Sequence, residues 1–122
     1  MKYRALITEP EKGNRERLAR IMRDAGLEPL PTASVGEALE AVRVVSFEVA
    51  LVEFALPDHT ALELLDMISL FNNRARSVVL VSDQSTEVRM KVMRAGAFSV
   101  IRKPFTDDVV LYTINEIIRK FF

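Results

Sequence analysis

Short apolar runs and stretches of helical spacing alternate about five times along this 122-residue chain. Apolar runs lie at residues 3–8, 49–54, 77–81 and 98–102, with a shorter one at 28–31. A continuous apolar run of this length reads as a strand buried on both faces. Strands of that kind, separated by helices, imply a parallel sheet covered by helices on both sides. Right-handed crossovers then leave few topologies. The expected fold is α/β, doubly wound, with strand order 2-1-3-4-5, as one domain over residues 1–122.

Local signals set the element boundaries. Leu18, Ile21 and Met22 share one helical face in a segment read as residues 14–25, and Gly26 supplies its stop. Pro29 and Pro31 make the second strand an edge strand. Ser34 with Glu37, and Thr60 with Glu63, have capping-box spacing and open the second and third helices. Ser85 or Thr86 opens the fourth, which stops at Gly96. Thr106 places a cap, and Asp107 and Asp108 two acids, at the positive end of the last helix. There is no internal repeat, linker or low-complexity stretch.

Composition narrows the function classes. Seventeen basic and 17 acidic residues balance, so there is no basic surplus to attract nucleic acid or an anionic membrane directly. The absence of cysteine excludes disulfides, thiol chemistry and cysteine-type zinc sites. No apolar run reaches membrane-spanning length and the N-terminus has no signal-peptide pattern, so the expectation is a cytoplasmic protein.

Chemistry concentrates at one edge. In Val49-Ala50-Leu51-Val52-Glu53-Phe54-Ala55-Leu56-Pro57 an apolar run ends in a carboxylate and a Leu-Pro turn. Ile7-Thr8-Glu9-Pro10 closes the first run, and Val100-Ile101-Arg102-Lys103-Pro104-Phe105 closes the last. The flavodoxin-like order has its switch point between strands one and three, where open sheets hold their ligands. Glu9 and Glu53 end those two strands.

These residues resemble the receiver domains of two-component response regulators, the CheY-like family, over nearly the whole chain. In that family two acids after the first strand and an aspartate ending the third hold magnesium, and the aspartate accepts a phosphoryl group. The matching positions are Thr8, Glu9 and Glu53. The resemblance is thus to a degenerate receiver, a pseudo-receiver with an atypical phosphoacceptor. Threonine removes one charge, and two glutamates lengthen the remaining arms. The resemblance therefore implies weak or lost magnesium binding and no required cofactor. The extra methylene also moves the attacking oxygen of Glu53 by more than ~1 Å, enough to disturb in-line attack. Glu53 is then either a permanent stand-in for the phosphorylated acid or a tolerated residue at a dead site.

Other positions follow the same register. Lys103 matches the lysine that contacts the phosphoryl group, and the peptide before Pro104 is usually cis in the family. Lys103 is expected to pair directly with Glu53. Ser82 matches the switch hydroxyl, and Asp83 adds negative charge at the cleft mouth. Val100 stands where the family has a switch aromatic, and valine cannot swing as that ring does. His59, the only histidine, reads as a solvated loop residue.

Without chemistry, function must rest on contacts. The third helix carries an excess of apolar residues (Leu62, Leu64, Leu65, Met67, Ile68, Phe71), read as deep burial or a partner surface. The fourth carries Val88, Met90, Val92 and Met93, and the last ends in Phe121-Phe122. In the family, helix four, strand five and helix five form the dimer or partner face. The leading reading is a non-enzymatic signalling module acting through a protein partner or homodimer, with an attached output domain or a cognate histidine kinase as associates. The alternative is a response regulator phosphorylated at Glu53 with magnesium. A flavodoxin-like binder of small molecules would need a glycine-rich phosphate loop, and Glu9-Pro10-Glu11-Lys12-Gly13-Asn14 has one glycine and two acids.

Overall fold

Strand periodicity of two divides each apolar run between two cores. Ala5, Ile7, Val49, Leu51, Val78 and Leu80 join one cluster, and Leu6, Ala50, Val52, Val79 and Val81 the other. Every one of these side chains is buried, so neither face of the central strands meets water. The computed structural model describes residues 2–82 and 85–122. Among them the chain runs β1 (Arg4–Thr8), α1 (Lys12–Asp24), β2 (Glu28–Thr32), α2 (Val35–Val44), β3 (Val49–Glu53), α3 (Ala61–Phe71), β4 (Arg76–Val81), α4 (Thr86–Arg94), β5 (Ser99–Arg102) and α5 (Asp107–Phe121). The sheet is parallel with order β2-β1-β3-β4-β5, the expected doubly wound fold.

Helices α1 and α5 cover one face through Leu18, Met22, Val110, Ile114 and Ile117. Helices α2, α3 and α4 cover the other through Val42, Leu64, Leu65, Ile68 and Val92. The α3 excess divides: Leu64, Leu65 and Ile68 point inward, Leu62 and Met67 are half-buried, and Phe71 is exposed. Helix α4 is the most lightly held, with Val92 its one fully buried side chain.

Helix ends follow local chemistry with two departures. Helix α1 starts at Lys12 rather than at residue 14, because the Glu11 carboxylate accepts the Gly13 and Asn14 amides at 2.9 and 2.5 Å. Glutamate is outside the usual capping set, so the sequence signal was weak. Thr60 stands at the start of α3 but makes no side-chain cap bond. Its expected partner Glu63 instead faces His59 Nδ1 at 2.6 Å, which pairs the loop histidine. Gly26 (φ 87°) and Gly96 (φ 99°) end α1 and α4 in the left-handed region, where a side chain would be strained.

The terminal phenylalanines pack on the body. Phe121 meets Phe98 edge-on at 5.7 Å, and the Arg76 guanidinium lies 4.2 Å from its ring centre. Phe122 meets Tyr3 at 5.8 Å. Both contacts lie at the start of the strands, the end of the sheet away from Glu53.

Candidate functional site

β1 and β3 are adjacent and parallel, with Thr8 level with Val52. Their carboxyl ends therefore deliver Glu9 and Glu53 side by side, as the strand order requires. Lys103 arrives from the third side. Its amide donates to Val81 O at 2.8 Å, which extends β5 along β4 by one residue. The Lys103–Pro104 peptide is cis.

The three side chains form one cluster, with both glutamates buried and Lys103 partly buried. Lys103 Nζ lies 2.5 Å from Glu53 Oε1 and also binds Glu9 Oε1. Glu53 Oε2 accepts the Ala55 amide at 2.8 Å. Glu9 Oε2 is buried and has no hydrogen-bond partner among the described residues. Two carboxylates thus share one ammonium, a net charge of −1 when all three are ionised. Burial alone would lower the Lys103 pKa, but the hydrogen bonds and charges of Glu53 and Glu9 outweigh it and hold the ammonium above the ordinary lysine value.

Neighbours frame the cluster. Arg15 reaches back from α1 to the carbonyls of Glu9 and Pro10 at 2.9 and 3.1 Å, which fixes the turn after β1. Glu9, Pro10, Glu11, Glu53, Phe54, Ala55, Ser82 and Lys103 line a cleft of about 440 Å³. Ser82 lies exposed on its lip.

Not every residue in register faces this cleft. Thr8 is fully buried, and its hydroxyl bonds Thr32 Oγ1 at 3.0 Å, while Thr32 in turn donates to Ile7 O. Its polar atom is therefore committed toward β2. Val100 is half-buried and packs into the α4-side core. Asp83 lies outside the described residues. Among the described residues, no group of three His, Cys, Asp or Glu side chains could hold a metal ion.

One residue beside the site had no local signal. Asp58, in the loop after β3, accepts the Val35 amide at 3.1 Å and the Gly36 amide at 3.0 Å. It caps α2 from across the fold, 22 residues away from Gly36. No neighbouring sequence pattern announces such a contact.

The chain is 18% identical over 117 residues to the cell cycle transcriptional regulator CtrA of Caulobacter vibrioides, covering 96% of this chain and 51% of that protein. It is 26% identical over 103 residues to the response regulator protein PilR of Pseudomonas aeruginosa, covering 84% of this chain and 23% of that one. The chain thus spans about half, and about a quarter, of the length of these curated relatives. A CheY-like response regulator receiver domain protein from Methanospirillum hungatei superposes with TM-score 0.93 at 25% identity, covering 98% of this chain and 96% of that one. Residues 5–115 match the response regulator receiver domain, and the chain belongs to that family, the receiver modules of two-component signalling.

Proposed function

We propose that this receiver signals without the usual phosphorylation cycle. The observation that carries the reading is the engagement of Glu53. Its two oxygens already hold the Lys103 ammonium and the Ala55 amide, at 2.5 and 2.8 Å. Those are donors a phosphoryl group would otherwise use. The longer glutamate arm thereby supports one fixed conformation. No cofactor is required on this reading. Magnesium needs near-octahedral oxygen ligands at short range. Two carboxylates already shared by an ammonium, with the Thr8 hydroxyl turned to Thr32, do not fit it well. Titration calorimetry with magnesium is expected to give no binding below ~1 mM, the weak end of protein sites for hard divalent cations. Micromolar affinity would overturn this point.

Output then passes through contacts rather than catalysis. The α4–β5–α5 side is the face proposed for a protein partner or a second copy. Met90, Met93, Val109 and Tyr112 are all exposed there. Exposed apolar groups in such numbers mark interaction surfaces. An attached output domain or a cognate histidine kinase, direct contact with neither nucleic acid nor membrane, and a cytoplasmic setting belong to the same proposal. Among the described residues no helix is long and apolar enough to cross a membrane.

Intact mass after incubation with acetyl phosphate and magnesium tests the central claim, with Glu53→Gln as control. No adduct is the expected result. An adduct that disappears in Glu53→Gln would establish the alternative, a response regulator using glutamate as acceptor.

A further inference from the structure

The loop that carries Glu53 is tied down at two places. Inside, the Ala55 amide donates to Glu53 Oε2, Ala55 bridges Thr60, and the Ala61 amide donates to Phe54 O at 3.1 Å. Outside, both oxygens of Asp58 accept amides from the first turn of α2. Helix α2 already has a local cap in Ser34, whose hydroxyl accepts the Glu37 amide at 3.2 Å. Glu37 in return accepts the Ala33 amide at 3.1 Å. Asp58 satisfies two further donors of the first turn, Val35 and Gly36.

We propose that Asp58 is a positioning residue for the acidic cleft: it latches the loop after β3 to α2, and so sets where the Ala55 amide holds Glu53. The span is short. Only Leu56 and Pro57 separate Ala55 from Asp58, and the Ala55–Thr60 bridge closes the loop around them, so the tip cannot shift without disturbing the amide. Burial opposes ionisation of Asp58, but the amides of Val35, Gly36 and its own residue, with His59 nearby, outweigh it and hold the carboxyl below the usual range. The latch is therefore charged at neutral pH. It goes beyond the reading of Glu53 given above, because the loop is set this way whether or not the cleft ever takes a phosphoryl group.

Amide hydrogen exchange by NMR on the full chain tests it, with Asp58→Ala, Asp58→Asn and Ser34→Ala compared. Asp58→Ala is expected to speed exchange roughly tenfold at Val35, Gly36 and also Ala55, the scale of losing a charge-assisted bond. Asp58→Asn, which keeps one acceptor oxygen, is expected to fall between. Ser34→Ala frays the same helix and is expected to speed Glu37 while leaving Ala55 unchanged. If Ala55 keeps its wild-type rate in Asp58→Ala, Asp58 is only a helix cap and the proposal fails. Should Asp58→Ala not fold, the same criterion applies to Ala55 in Asp58→Asn. A rise at Ala55 in Ser34→Ala equal to that in the Asp58 variants would also overturn it.

Discussion

Replacing Lys103 with alanine is expected to destabilise the domain by about 3–5 kcal/mol at neutral pH, the scale of removing one partner from a buried ion pair. The loss is large because of what remains. Glu9 and Glu53 are both almost fully buried, and one Glu9 oxygen has no partner among the described residues even with the lysine present. Without the ammonium two carboxylates face each other in a desolvated cleft. Adding Glu53→Gln to Lys103→Ala is expected to recover part of the loss, a coupling that a double-mutant cycle reads directly. The pH dependence has a definite sign. The folded-state pKa of Lys103 is raised, so its contribution is whole below the unfolded value of ~10.4 and disappears as pH rises through the folded value. The gap between parent and variant in urea melts should thus hold from pH 6 to 9 and narrow only in stronger base. A variant within ~1 kcal/mol of the parent at pH 7 would mean that the cluster is open to solvent.

Phe47→Ala is expected to cost about 3–5 kcal/mol as well, by a different route. Phe47 is 1% exposed and packs among the α2, α3 and β3 residues at the start of the strand. Asn72 of the α3–β4 turn donates to its backbone carbonyl at 3.1 Å, a bond that loss of the ring leaves in place. Truncation leaves a cavity that the sheet cannot collapse into. The urea midpoint should fall with an unchanged slope. The cleft lies roughly 20 Å away along β3, so the Lys103–Glu53 coupling should survive. A reduced coupling energy in the Phe47→Ala background would show that the two ends of the sheet communicate.

The sheet was legible because it rests on a short-range pattern. The runs 49–54 and 77–81 could belong only to central strands, and both faces of them are buried. Glu9, Glu53 and Lys103 were legible for a related reason, since strand order alone carries them to one rim. What escaped reading depends on partners distant in sequence. Asp58 looks like an ordinary turn residue until α2 is placed beside it. Thr8 matches a ligand position, yet Thr32 on the neighbouring strand takes its hydroxyl. The Thr60–Glu63 spacing resembled a capping box, but the nearer His59 takes the carboxylate.

The prolines of β2 have a consequence for assembly. The Glu28 amide donates inward to Tyr3 O, and amides alternate in direction along a strand. The outward positions are then Pro29 and Pro31, which have no N–H to offer. An incoming strand would find this border stripped of donors. The sheet is therefore guarded on that side against strand addition and the edge-to-edge stacking that begins aggregation. Any association on the β2 side must then proceed through helices and side chains, which unlike a backbone ladder can discriminate between partners.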